Sequence, residues 1–299
     1  MSLVLALCLD AIFGEPKWLW DRVPHPAVLM GRCVGWLDER LNKGRVRRLR
    51  GLLALLILSV GSLGLGALLQ AIPGQVVDVI VAAVLLAQKS LVEHVKDVAD
   101  ALRNSVPEGR RMVARIVGRD TSKMDAAAIS RAAIESASEN FSDGVLAPAF
   151  WFAIGGLPGL LLYKITNTAD SMIGYRTPRH EAFGWAAARF DDLLNWVPAR
   201  LTALLIVLSH FHLRDWFAIR KDARLHRSPN AGWPEAAMAR VLGISLAGPR
   251  SYEGQMRTFP FVNEAARKVV GPGDIDASIA VLWRVWAVLL GGALLVAAL

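Results

Sequence analysis

The sequence predicts an all-α, polytopic integral membrane helical bundle with re-entrant or broken helices and cytoplasmic helical or loop segments. Three observations predict it. Hydrophobic residues make up 54% of the 299 residues and mean hydropathy is +0.38, more apolar than soluble domains average. Several uncharged runs approach the ~20 residues that a helix needs to cross a bilayer core of about 30 Å. The period-2 alternation of half-buried strands is weak throughout. Charged residues still reach 20%, so long segments must meet water. With no internal repeat or low-complexity tract, residues 1–299 are expected to form a single membrane-embedded domain.

The elements follow in order, with apolar segments expected at about 1–13, 51–73, 76–88, 144–163, 196–213 and 277–299. Met1 to Phe13 is apolar, lacks a basic start and a small-residue cleavage site, and reads as a retained membrane-seeking helix. Gly51 to Pro73 is a span of 23 uncharged residues. The basic block before it (Arg40, Lys43, Arg45, Arg47, Arg48, Arg50) reads as cytoplasmic. That placement also absorbs the net charge of +8, which in a soluble chain would point to nucleic acid; none is expected here. Val76 to Gln88 returns and continues as a charged amphipathic helix over Lys89 to Asn104. Pro107-Glu108-Gly109 reads as a turn, and Asp125 to Asn140 as a helix with Ala126, Ile129, Ala133 and Ala137 on one face, capped by Thr121 or Ser122.

Gly144 to Tyr163 is uncharged but broken by Pro148 and by Gly155-Gly156-Leu157-Pro158-Gly159. The polar motifs on either side should share one face of the membrane, which predicts a re-entrant segment or a kinked helical hairpin. Trp196 to Leu213 is a further apolar stretch, and Ala277 to Leu299 a final helix interrupted by Arg284, giving roughly four to six spans. Ser228 to Glu235 and Gly248 to Gly254, rich in proline and glycine, read as ordered loops. Cys8 and Cys33 form no C-x-x-C pair and are expected to be small buried hydrophobes.

The chemistry concentrates between Gly118 and Arg200. Glu135, Glu139 and Asp143 are spaced i, i+4, i+8, one face of a continuing helix. Their mutual repulsion would be relieved by a divalent cation, and Mg²⁺ prefers carboxylate oxygens together with substrate phosphate. Asn140 with Asp143, Asn167 with Asp170, and Asp191 with Asn195 make three acid–amide pairs flanking apolar segments, where ionisable groups are functional by default. Arg119, Lys123, Arg176 and Arg189 are candidate phosphate holders. Pairing of these acids with nearby arginines, or helix capping, is the alternative. His25, between Pro24 and Pro26, is either a proton carrier or a structural turn histidine. A P-loop, a kinase Gly-rich loop, zinc spacing and a G-x-S-x-G elbow are all missing from the sequence, so any nucleotide site is built differently.

Leu9-Asp10, Gly14-Glu15-Pro16, Pro24-His25-Pro26 and Met30-Gly31 resemble the opening of the cobalamin-biosynthesis CobD/CbiB family, the adenosylcobinamide-phosphate synthases. The resemblance continues through Gly118-Arg119-Asp120-Thr121, Glu135 to Asn140, Ser142-Asp143-Gly144, Tyr163-Lys164, Asn167 to Tyr175, Ala188-Arg189 with Asp191-Asp192, Asn195 and Pro198 to Arg200, and both later loop motifs. Glu15 stands where the family commonly has Asp, and Ala169 where it commonly has Leu.

The resemblance implies a multi-pass enzyme of the bacterial inner membrane with its site on the cytoplasmic side. It would join adenosylcobyric acid to (R)-1-aminopropan-2-ol or its O-phosphate, using ATP and Mg²⁺, in the company of other late cobalamin-pathway membrane enzymes. On that reading Glu139, Asp143, Asp170 and Asp191 hold Mg²⁺, supported by Asn140 and Asn167. Arg119, Lys123, Arg176 and Arg189 hold phosphates with Asn195 beside them, and Glu135 or His25 takes the amine proton. Two other functions fit the residues: a Mg²⁺-dependent membrane transferase of prenyl or phospho-alcohol groups, and a non-enzymatic AmpE-like signalling protein.

Overall fold

The computed structural model describes residues 1–252 and 255–299, apart from the side chains of 251, 252, 255 and 256; Glu253 and Gly254 of the second loop motif lie outside the described residues. In chain order the helices are α1 (Ser2–Phe13), α2 (Lys17–Trp20), α3 (Pro26–Leu41), α4 (Arg47–Gln70), α5 (Val76–Leu85), α6 (Gln88–Asn104), α7 (Val106–Val113), α8 (Ala126–Phe141), α9 (Ala147–Ile173), α10 (Trp185–Leu194), α11 (Trp196–Ser209), α12 (Trp216–Ala223), α13 (Gly232–Leu242) and α14 (Pro272–Ala298). Among the described residues, strands β1 (Leu246–Ala247), β2 (Arg250–Tyr252), β3 (Gln255–Arg257) and β4 (Phe261–Val262) form two short antiparallel ladders, β1 with β4 and β2 with β3. The all-α expectation holds.

Among the described residues three helices are long and apolar enough to cross a membrane by length and composition: Arg47–Gln70, the stretch Ala126–Ile173, and Pro272–Ala298. The bent pair Trp185–Leu194 and Trp196–Ser209 makes a fourth if it counts as one span. Counting the pair reaches the low end of the four to six spans read from the sequence; without it the number falls one short.

The chain divides into two compact units, each built from two stretches of sequence. The first comprises Met1–Ala87 and Asp143–Trp196. In it α4 lies along α9, with α3 against both and α10 beside them. Val34 and Leu37 of α3, Ala54 and Leu58 of α4, and Ile165, Ala169 and Ile173 of α9 form its core. Their three- and four-residue spacing is what puts them on single helix faces. The other face of α4 leaves Leu56 at 57% and Val60 at 61% exposed, with Leu52 and Leu68 beside them. A continuous exposed apolar stripe is unfavourable in water and suits lipid tails. Cys33, expected buried, is exposed, and Cys8 is partly buried; both are free thiols.

The broken segment is a hairpin. At Gly156 the backbone takes φ 57° and ψ −148°, a region open essentially to glycine. Straight α-helix from 143 to 163 would be about 30 Å long at 1.5 Å per residue. Instead the Tyr163 hydroxyl lies 3.0 Å from the Asp143 carbonyl, and a Cβ on Gly159 would stand 2.5 Å from the Trp151 carbonyl. The limbs 147–155 and 157–173 therefore run back along each other. Gln70 at the end of α4 closes the break: its Oε1 accepts the Leu157 N–H at 3.0 Å. A Cβ on Gly156 would come 2.1 Å from that oxygen. Gly156→Ala is expected to cost about 1–3 kcal/mol in backbone strain alone, read as a lowered melting temperature in detergent.

The second unit comprises Gln88–Ser142 and Val197–Leu299. Its centre is α8, against which α6, α7, α13 and α14 pack. Ile129, Ala133 and Ala137 are fully buried, as their spacing predicted. Several local readings are corrected. Pro107-Glu108-Gly109 is the first turn of α7, capped by the Ser105 hydroxyl, because proline is well tolerated at that position. The cap of α8 is Asp125, which accepts the Ala128 N–H at 2.7 Å, in place of Thr121 or Ser122. The Trp233-Pro234-Glu235 end of the first loop motif opens helix α13, again with proline in the first turn. The last helix starts five residues early, at Pro272, where the Asp274 carboxylate accepts the Gly271 N–H at 2.9 Å.

Candidate functional site

In the first unit the polar residues gather where the hairpin limbs start and end. Asp191 of α10 is buried, and both of its oxygens accept side-chain amides: Asn195 at 3.0 Å and Asn167 of α9 at 3.3 Å. The Asn195 Oδ1 in turn lies 3.0 Å from the Tyr163 hydroxyl, which shares its proton between that oxygen and the Asp143 carbonyl. The hairpin is what brings 143, 163 and 167 together. Asp170, one helical turn beyond Asn167, interacts electrostatically with Asp191 and Asp192 and is only half-buried. Its Oδ1 lies over Gly174, where a Cβ would come within 1.9 Å. Lys164 sits among Asp10, Glu15 and Asp143, tying the N-terminal motif to the same region.

Arg176 and Arg189 are exposed near Asp192, Arg189 at 3.4 Å from its Oδ2. His25 uses both ring nitrogens: Nδ1 accepts the Ala27 N–H at 3.2 Å, capping α3, and Nε2 faces the Val84 carbonyl at 3.2 Å. Burial pulls its pKa below the usual histidine value, against the charge of Glu15. The structure thus shows His25 engaged at the turn that opens α3.

In the second unit Glu135 is the hub. Its Oε2 lies 2.7 Å from Arg119 and 3.2 Å from Arg250, and its Oε1 accepts the Ala247 N–H at 2.9 Å. Ala247 is held there in a left-handed conformation, φ 59°. All these groups are buried or nearly so. Glu135 therefore positions two arginines. Beside it a cavity of about 240 Å³ is lined by Arg119, Lys123, Arg131 and Arg250. The acids of its rim are locally engaged: Asp120 accepts the Ser122 N–H and hydroxyl, and Asp125 caps α8. The cavity presents cations to whatever enters it, which suits a phosphate.

Glu139 and Asn140 stand exposed at the end of α8, the Asn140 amide donating to the Ser136 carbonyl at 2.8 Å. The expected single face of Glu135, Glu139 and Asp143 is interrupted. Glu135 points into the core while Glu139 is exposed, and Asp143 falls in a π-helical turn, Ser142–Leu146, whose wider winding breaks the i+4 register.

Among the described residues no group of three or more His, Cys, Asp or Glu side chains is arranged to hold a metal ion. The four carboxylates assigned to Mg²⁺ from the sequence are thus not a preassembled cage. Two of them, Asp170 and Asp191, do adjoin each other, and that donor set fits Mg²⁺ arriving with phosphate, which takes one or two carboxylates and keeps its other positions for phosphate and water.

Lys164, Arg250 and Glu235 are not among the candidate site residues of the sequence, and Arg131 enters there only as a possible partner of the acids. Lys164 had a visible signal, being the lone charge between Asp143 and Asp170. Glu235 had none, because its neighbours come from α8 and β2, far away in sequence. It is fully buried, 3.8 Å from Arg250, with its Oε1 lacking a hydrogen bond. Burial, reinforced by the nearby Glu135 charge, pushes its pKa up to about 8. The folded state therefore holds a proton that the unfolded chain releases above pH 4.5, and stability falls as pH rises between about 4.5 and 8. Glu235→Gln is expected to flatten that part of a melting-temperature–pH curve and to be the more stable protein at pH 8.

The family described as CobD/Cbib protein matches residues 3–282, a range containing every polar group above. The chain belongs to the CobD/Cbib family. Relatives in this family include proteins named "Cobalamin biosynthesis protein CobD". The one from Rhizobium meliloti (strain 1021) is 48% identical over 97% of this chain and 94% of its own length. Those from Brucella anthropi (45% identical, 97% and 94%) and Rhodobacter capsulatus (43%, 95% and 93%) cover it as fully. No solved structure matches the chain. The apolar helices of this CobD/Cbib member fit a membrane protein, the setting that the resemblance implied.

Proposed function

We propose that the chain is an adenosylcobinamide-phosphate synthase. It would join adenosylcobyric acid to (R)-1-aminopropan-2-ol or its O-phosphate by ATP-dependent amide formation at the cytoplasmic face of a bacterial inner membrane. The observation that carries this reading is the near full-length family match to proteins named for cobalamin biosynthesis. The cation-lined cavity beside Glu135 supports it, because activating a free carboxylate with ATP needs a place for phosphate. The basic block from Arg40 to Arg50 supports the cytoplasmic orientation.

The reaction balances as two steps. The γ-phosphoryl group passes to the corrinoid propionate and ADP leaves. The amine nitrogen then attacks the acyl carbon, the C–N bond forms, the C–O bond to phosphate breaks, and the departing phosphate takes the amine proton. Arg119 and Arg250, fixed by Glu135, with Lys123 and Arg131 at the rim, hold phosphate oxygens and neutralise their charge. Within the first unit, Asp170 and Asp191 would hold Mg²⁺, which supplies charge neutralisation when bound. The Asn167 and Asn195 amides keep Asp191 oriented.

The test is an amidation assay on detergent-purified protein with adenosylcobyric acid, aminopropanol or its phosphate, ATP and Mg²⁺, read by mass spectrometry. A corrinoid heavier by the condensed amine, dependent on ATP, is the expected result. Folded protein that makes no product with either amine would overturn the reading.

A further inference from the structure

The first unit holds an apolar cavity of about 900 Å³ that the proposed chemistry does not use. It lies between α3, α4, α5 and α9, with Leu29, Ile57, Leu65 and Leu85 among its walls. Its volume falls in the upper part of the ~300–1,000 Å³ range of small-molecule sites. Few polar groups interrupt the apolar lining: the Ser62 hydroxyl, the Cys33 thiol, and two that point to an anionic ligand. Arg32 is its single formally charged side chain, exposed and without an ion pair or hydrogen bond to any described residue. The Trp20 indole N–H is buried with no hydrogen-bond partner. A buried donor left unsatisfied is unfavourable, so an acceptor is expected there.

We propose that this cavity binds one phospholipid of the surrounding membrane, with an acyl chain along the apolar walls, the Trp20 N–H donating to a headgroup or ester oxygen, and Arg32 paired with an anionic headgroup. The charge decides among occupants. A largely apolar cavity with a single cation and an unsatisfied indole donor complements an anionic amphiphile. A corrinoid carries many amides, which need polar partners that these walls lack. A second copy of this chain would bring its own side chains to satisfy both groups, and the test separates that case. The inference is independent of the proposed reaction.

Gly61 lines the cavity, and a Cβ added there meets nothing within 4 Å. Gly61→Leu therefore fills the space while raising helix propensity, so it is not expected to impair folding. The experiment is native mass spectrometry of wild type, Gly61→Leu, Arg32→Gln and Trp20→Phe after reconstitution into nanodiscs of mixed phosphatidylglycerol and phosphatidylcholine. Wild type should retain one phospholipid per chain, enriched in phosphatidylglycerol over the supplied mixture. Gly61→Leu should lose it, and Arg32→Gln should keep a lipid with the headgroup preference lost. Trp20→Phe should keep the preference and release lipid at lower collision energy. Wild type without bound lipid, equal retention in wild type and Gly61→Leu, a retained corrinoid, or a dimer abolished by Gly61→Leu would each overturn the proposal.

Discussion

Glu135→Ala should destabilise the protein by about 3–5 kcal/mol, because it leaves two largely buried guanidinium groups, Arg119 and Arg250, without their shared counter-charge. The loss has a built-in buffer. Glu235 stands 3.8 Å from Arg250 and keeps its proton partly because Glu135 is charged. Once Glu135 is gone, Glu235 is free to ionise and take over part of the pairing. The double variant Glu135→Ala/Glu235→Gln is thus expected to be less stable than the two single effects predict by addition, a coupling that a double-mutant cycle in detergent melts measures. Strict additivity would show that Glu235 does not exchange roles with Glu135. The same substitution should free the Ala247 N–H and relax its left-handed backbone.

Asp170→Asn is expected to lower product formation at least about 10²–10³-fold, the scale seen when one preorganised electrostatic partner of a reacting group is removed. Folding should be spared. Asp170 is half-buried, and the isosteric amide still fits over Gly174 while removing a negative charge beside Asp191 and Asp192. An inactive variant that melts like wild type, and regains nothing with excess Mg²⁺, would fit a direct role at the metal–phosphate centre. Full activity would remove Asp170 from it, leaving Asp191 as a structural carboxylate held by two amides.

The sequence carried the broad architecture because that depends on composition: α4 and α14 are long and apolar enough to cross a membrane. It carried the hairpin because Gly155-Gly156-Leu157-Pro158-Gly159 makes a continuous helix unfavourable. Proline misled twice, at Pro107 and Pro234, where it opens a helix that its presence had suggested was absent. The acid–amide pairs were legible as pairs. Their true linkage, Asn167 to Asp191 across two helices, was not, because it depends on which helix faces which. The Glu135–Arg119–Arg250–Glu235 cluster was hidden for the same reason. It joins α8, α13 and the start of β2, and only burial tells a hub such as Glu135 from an exposed residue such as Glu139 one turn later.

The Gln70 clasp on the hairpin bears on how the chain is made. The Leu157 N–H, orphaned by the reversal at Gly156, is satisfied by a side chain at the end of α4, which leaves the ribosome well before the hairpin does. The acceptor is thus waiting when its donor arrives, and order of synthesis matches order of assembly. In a circularly permuted gene that places α4 after the hairpin, the newly made reversal would enter the lipid phase with that N–H bare. Such a permutant should accumulate poorly even though every contact of the finished protein is retained.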